Sequence, residues 1–91
     1  MIDETAEIHG SSLVHPTASV GARVKIGALV CVHERVSVGD DVTIEDNCDI
    51  SADVRLGAGA TVRTGVVIAP GLQVGPGAEV PADSYVLVSI P

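Results

Sequence analysis

Every sixth residue of this chain, counted from Ile2, is aliphatic: Ile2, Ile8, Val14, Val20, Ile26, Val32, Val38, Ile44, Ile50, Leu56, Val62, Ile68, Val74, Val80 and Val86. A second register, two residues ahead of the first, runs from Ala6 through Ser12, Ala18, Val24, Val30, Val36, Val42, Cys48, Val54, Ala60, Val66, Leu72, Ala78 and Ser84 to Ile90, and holds only small or aliphatic residues. Two inward positions separated by one outward position are the signature of a short strand, and the Gly, Ala, Asp and Pro that fill the rest of each hexad make turns. Each hexad is therefore one strand and one corner. An amphipathic helix is excluded, because a period of six does not fit 3.6 residues per turn and β-branched residues dominate.

Three hexads close a triangular coil, so residues eighteen apart stack at the strand spacing of about 4.8 Å, and five coils make a prism roughly 24 Å tall. Gly21, Gly39, Gly57 and Gly75 lie eighteen apart at one corner. A repeated Gly there predicts either a backbone conformation or a close stacking of turns that a side chain would hinder. The expected fold is all-β: a single domain over residues 1–91, a parallel β-helix of about five 18-residue triangular coils with no insertion loops. Loops that project from such a scaffold commonly carry specificity. With no capping helix at either end, the first and last coils are expected to present open backbone edges.

Sorting the outward strand residues by eighteen separates three faces. One displays Glu7, Lys25, Thr43, Thr61 and Glu79, and another Ser19, Ser37, Arg55 and Gln73. The third displays Leu13, Cys31, Asp49, Val67 and Tyr85, flanked by Leu29, Ala69 and Leu87. A contiguous apolar strip of this kind marks an interface. A small domain at the lower limit of self-sufficient core size gains most from oligomerisation, and a three-sided prism with one apolar side suggests a cyclic trimer joined through Leu13, Leu29, Cys31, Val67, Ala69, Tyr85 and Leu87.

Composition narrows the function. The net charge is −7 and the basic residues are only Arg23, Lys25, Arg35, Arg55 and Arg63, which argues against nucleic acid and anionic membranes as partners. The N-terminus is acidic and every apolar run is broken by Gly or a charge, so neither a signal peptide nor a membrane span is read, and a cytoplasmic protein is the expectation. Cys31 and Cys48 are too few for a disulfide framework and lack a metal-ligand partner at suitable spacing, so both are expected as free thiols, Cys48 inward and Cys31 outward.

The aliphatic, Gly/Ala/Asp, small-residue hexad resembles the hexapeptide-repeat acyltransferase superfamily along essentially the whole chain. Two stretches sharpen the likeness to sugar acetyltransferases of the sialic-acid and bacillosamine type. Val14-His15-Pro16-Thr17-Ala18-Ser19-Val20 resembles the phrase that opens their β-helix, and Ile44-Glu45-Asp46-Asn47-Cys48-Asp49-Ile50 resembles their catalytic phrase V-E-H-D-C-x-I. The closing Asp83-Ser84-Tyr85-Val86-Leu87-Val88 is similar to their Tyr-containing C-terminal segment. The resemblance implies a left-handed β-helix, a trimer with sites in the clefts between subunits, acetyl-CoA as co-substrate rather than a tightly bound cofactor, and a small-molecule acceptor. Two departures stand out. Asp46 occupies the place of the family's catalytic His, and an ordinary carboxylate is a poor base for a sugar hydroxyl or amine at neutral pH. The C-terminal half also has only two basic residues, Arg55 and Arg63, to meet coenzyme A phosphates.

His33, Asp46 and Asn47 are the candidate catalytic residues. His15 and His33, eighteen apart, stack at one corner beside the apolar face, with His9 at another corner. Corner histidines in repeats ordinarily pack or cap, but His33 adjoins Glu34 and could act as acid or base. Asp46 and Asn47 sit at a corner bordering the same face and, in a trimer, would meet His33 of a neighbour across the cleft. The histidine spacings are not those of the zinc ligands in the trimeric carbonic anhydrases of this fold, so no metal site is expected. Two classes of function remain: an acetyl-CoA-dependent O- or N-acetyltransferase, minimal or catalytically decayed, or a non-enzymatic assembly module of the same fold.

Overall fold

The computed structural model describes residues 2–91. Strands of two residues recur every sixth position, in the order β1 (Glu7–Ile8), β2 (Leu13–Val14), β3 (Ser19–Val20), β4 (Lys25–Ile26), β5 (Cys31–Val32), β6 (Ser37–Val38), β7 (Thr43–Ile44), β8 (Asp49–Ile50), β9 (Arg55–Leu56), β10 (Thr61–Val62), β11 (Val67–Ile68), β12 (Gln73–Val74), β13 (Glu79–Val80) and β14 (Tyr85–Val86). They assemble into three parallel sheets: β1-β4-β7-β10-β13, β2-β5-β8-β11-β14 and β3-β6-β9-β12. Every pairing joins residues eighteen apart, as in Glu7 with Lys25 and Cys31 with Asp49. The expected β-helix with no inserted loop is observed. Two faces have five strands and the third has four, extended by bridges from Ile2 to Val20 and from Val74 to Ile90. The result is a short prism of 30 × 21 × 20 Å.

Backbone hydrogen bonds hold the coils together. The N–H of Lys25 donates to the Val42 carbonyl at 3.0 Å and that of Thr43 to the Ala60 carbonyl at 3.0 Å, and the pattern continues along each face. Inside, the aliphatic register is buried without interruption from Val20 to Val86, and the second register is buried from Ala18 to Val66. Among the described residues no polar or charged residue is buried. The ends are open: Ile8 and Val14 are half-buried and Ile2 is 45% exposed. The last coil departs from the expected register. Ile90 was placed over Leu72, in the second register, but it bridges Val74, with its N–H donating to the Gln73 carbonyl and its carbonyl accepting from Gly75. The chain thus reaches Val74 by a course two residues shorter than the eighteen-residue coil.

Each corner from the second coil onward contains one residue of left-handed backbone. Arg23, Leu29, Arg35, Asp41, Asn47, Asp53, Gly59, Gly65, Gly71, Gly77 and Asp83 all have φ between 56° and 78°. They fall at one hexad position, three after the inward aliphatic. The Gly21, Gly39, Gly57 and Gly75 ladder is a different position, with no positive φ. There the requirement is contact: a Cβ on Gly39 would lie 2.7 Å from the Ala58 nitrogen, and one on Gly57 would lie 2.5 Å from the Pro76 nitrogen. Of the two explanations open in the sequence, close stacking of turns is the one observed.

Bidentate pairs link successive left-handed corners. Arg23 Nε and Asp41 Oδ1 are 2.7 Å apart, as are Arg35 Nε and Asp53 Oδ1. The guanidinium groups hold the Asp41 and Asp53 carboxyls below the usual carboxylate range. Such depression adds stability that is complete at neutral pH and is lost as pH falls through the ordinary carboxylate range toward the lower folded value. All four side chains are well exposed, so the gain is small.

The ladder glycine is expected to matter and an unconstrained one is not. Gly39→Ala should destabilise the protein by about 1–3 kcal/mol, the usual cost of overpacking. Gly10→Ala should leave the thermal midpoint unchanged, since nothing lies within 4 Å of its added Cβ. Equal midpoints for the two variants would contradict the stacking account.

Candidate functional site

The sheet β2-β5-β8-β11-β14 carries the predicted apolar face, with Leu13, Cys31, Asp49, Val67 and Tyr85 in direct register. Leu13 is 70% exposed, Leu29 61%, Tyr85 68% and Leu87 67%. Cys31, Val67 and Ala69 are half-buried. Val88, 73% exposed, extends the strip at its C-terminal end. One charge interrupts it, the half-buried Asp49.

That charge has a partner. The Nε2 of His33 lies 2.7 Å from Asp49 Oδ1, and both side chains are about half exposed. A carboxylate only accepts, so Nε2 carries a proton, and in the neutral ring the Nδ1 lone pair is left for another group. An imidazole oriented in this way by a carboxylate is the arrangement of a general base. Asp49 was read in the sequence only as a member of the apolar face. Its pairing with His33 had one available signal, a lone acid on an otherwise apolar strip two residues short of the eighteen-residue repeat of His33.

The corner histidines are used differently although His15 and His33 occupy the same position. His15 Nδ1 takes the Thr17 N–H at 3.1 Å and lies 2.8 Å from the Thr17 hydroxyl. His33 has Arg35 at the corresponding place, in left-handed backbone and with no hydroxyl, so its ring swings onto the face instead. His9 repeats the His15 arrangement with Ser11.

Asp46 is engaged in a corner. Its Oδ1 accepts the Ala28 N–H of the preceding coil at 2.8 Å, and Asp40 does the same for Ala22 at another corner. A Cβ on Gly27 would displace that Asp46 oxygen, so the cap and this glycine go together. Asn47 follows in left-handed backbone, its N–H donating to the Ala28 carbonyl. Within one chain, then, His33 lies at one edge of the apolar face and Asp46 and Asn47 at the other. His33 lines a shallow recess of about 220 Å³ with Leu13, Val14, His15, Cys31 and Val32. Asp46 lines a separate groove of about 960 Å³ over β1, β4 and β7, with Glu7, His9, Lys25, Glu45 and Thr64 among its walls. Arg63 lies 3.7 Å from Glu45 and 3.9 Å from Glu79.

Among the described residues no three His, Cys, Asp or Glu side chains are grouped to hold a metal ion, and no helix is long and apolar enough to cross a membrane. Both cysteines are free. Cys48 is buried, its Sγ 3.0 Å from the Arg63 carbonyl, and burial pushes its thiol above the usual value.

This architecture is that of a hexapeptide-repeat β-helix, and residues 35–70 match the family of bacterial transferase hexapeptides (six repeats). The acetyltransferase domain of PglB from Neisseria gonorrhoeae FA1090 shares the fold at a TM-score of 0.75 and 20% identity, over 100% of this chain and 50% of that one. A mutant perosamine N-acetyltransferase from Caulobacter crescentus, solved in complex with CoA and GDP-perosamine, aligns at a TM-score of 0.74 and 20% identity, over 96% of this chain and 50% of that one. Identity this low establishes the shared fold, and the chain spans about half the length of these structures. None of the curated proteins matches the sequence.

The two thiols should differ sharply in reactivity. In the native protein a disulfide reagent is expected to modify Cys31 and to spare Cys48, which should react only after unfolding. Equal rates, or a non-reduced mass two units low from an intrachain bridge, would contradict the assignment of inward and outward registers.

Proposed function

We propose that this chain is a minimal hexapeptide acyltransferase that assembles as a trimer through the Leu13–Tyr85 face and uses acetyl-CoA as co-substrate. The observation that supports it is the 2.7 Å His33–Asp49 pair at the edge of the apolar face. In this reading His33 Nδ1 takes the proton of an acceptor amine or hydroxyl as that group attacks the thioester carbonyl. The C–S bond breaks, and the proton passes to the departing thiolate. Asp46 and Asn47 of a neighbouring subunit border the same cleft, where they can orient the acceptor. Phosphate recognition is weak, since Arg63 is flanked by Glu45 and Glu79. The left-handed winding belongs to this reading by analogy with the resembled family, and cytoplasmic residence is in keeping with two free thiols.

A second reading has its own support. Asp46, standing where the resembled enzymes place His, serves as a corner cap for Ala28. A β-helix whose key position has become structural can function as an assembly module with the apolar face as its working surface.

Three measurements on the intact protein separate these readings: acetyl-CoA binding by calorimetry, release of free coenzyme A with amino-sugar acceptors, and sedimentation. The enzyme reading expects binding and slow turnover. His33→Gln should cut turnover by about 100-fold or more with binding intact, the usual worth of a general base. Absence of binding by both wild type and Asp46→His would remove the enzyme reading and leave the module. Val67→Lys, a charge in mid-strip, is expected to dissociate the oligomer, and an unchanged sedimentation coefficient would refute the face assignment.

A further inference from the structure

The first coil is fastened differently from all those that follow. Asp3, His9 and His15 each stand one residue past an inward aliphatic, and each is followed two residues later by a hydroxyl: Thr5, Ser11 and Thr17. In all three, the leading side chain accepts the N–H of the hydroxyl residue, at 2.8 Å for Asp3 Oδ1 and 3.1 Å for His9 and His15 Nδ1. The hydroxyl oxygen lies 2.6 Å from the acceptor in the first clasp and 2.8 Å in the other two. That oxygen also accepts a backbone N–H from the coil above: Arg23 for Thr5, Leu29 for Ser11 and Arg35 for Thr17. One coil later a main-chain carbonyl does this work, as Ala22, Ala28 and Glu34 accept from Asp41, Asn47 and Asp53.

A backbone N–H can only donate. The Nδ1 atoms of His9 and His15 must therefore present lone pairs, with the ring proton on Nε2. A second proton would go onto Nδ1 and leave the Ser11 and Thr17 amides facing a donor. We propose that the coil of residues 2–17 is pH-gated: protonation of His9 and His15 breaks the amide bonds of two clasps while the Asp3–Thr5 clasp stays closed. Hydrogen bonds from the Thr5 hydroxyl and then its N–H hold the Asp3 carboxyl below the usual range. Asp3 thus remains an acceptor across the interval, about pH 5 to 8, in which imidazoles change charge.

The neighbours do not replace the lost acceptors. His9 shares its groove with Glu7, Lys25, Glu45 and Asp46, but the Ser11 amide is bonded to the ring itself. His15 shares its recess with Cys31 and His33, and His33 is held by Asp49. Between the two imidazole clasps lies β2, the terminal strand of the apolar face, so acid loosens that end while Ile2–Thr5 stays closed.

Amide exchange read residue by residue tests the inference, with Thr5 as the internal control. After correction for intrinsic rates, exchange at Ser11 and Thr17 relative to Thr5 should rise about tenfold between about pH 8 and about pH 5 in the wild type. The double variant His9→Asp/His15→Asp installs the Asp3 type of clasp at all three corners, and its ratio should stay constant. A wild-type ratio that does not change with pH would overturn the proposal, whether or not the variant folds. An acid response that persists in a folded double Asp variant would overturn it too.

Discussion

The structure depends on the backbone hydrogen bonds between strands that are paired with an offset of eighteen residues. Each strand contributes only two residues, far too few to be stable in an isolated hairpin, so no single coil can hold its shape. Stacking converts these short pairings into three continuous ladders, and the stack brings a single column of Val, Ile and Leu into the middle. A residue added to or removed from a coil shifts the register of every ladder above it unless it loops out at a corner, and no hexad is interrupted between β1 and β14.

Corners are where this regularity costs something. A non-Gly residue in left-handed backbone costs about 1 kcal/mol, and Arg23, Leu29, Arg35, Asp41, Asn47, Asp53 and Asp83 all accept it. Burying the aliphatic residue of the same hexad contributes about 2 kcal/mol, more than the strain of its corner. Polar corner residues then acquire second tasks. Asp40 and Asp46 cap amides of the coil before, Arg23 and Arg35 pair with carboxylates of the coil after, and the hydroxyls of Thr5, Ser11 and Thr17 do for the next coil's amides what main-chain carbonyls do one coil later.

Much of this could be read in the residues. The hexad, the three faces, the inward Cys48 and outward Cys31, and the absence of insertions all follow from periodicity alone. The left-handed corner position did not emerge from that reading, although Asp41, Asn47, Asp53, Gly59, Gly65, Gly71, Gly77 and Asp83 stand at it, the residue types that tolerate positive φ. Arg23, Leu29 and Arg35 at the same position disguise the pattern. At the candidate site, periodicity placed His33, Asp46 and Asn47 on corners beside the apolar face. It could not reveal that His33 turns onto Asp49, because that depends on Arg35 lacking the hydroxyl by which Thr17 engages His15. Nor could it reveal that Asp46 caps Ala28, since the bond joins two corners rather than two strands. Strand periodicity describes what stacks inside, whereas side-chain chemistry at corners depends on which atom reaches the next coil.

A comparison of two deletions tests the dependence on eighteen-residue stacking most directly. Removing residues 52–69 takes out one whole coil and joins Ser51 to Pro70, the residue that follows its own equivalent Ala69. Removing residues 52–68 takes out one residue fewer and shifts everything above by one. The stacking account expects the first variant to unfold cooperatively, with the parent's β-type circular dichroism and a modestly lower midpoint. The second should lose the upper coils, because a one-residue slip sends every inward side chain to the opposite face. Equal stability of the two variants would contradict the account.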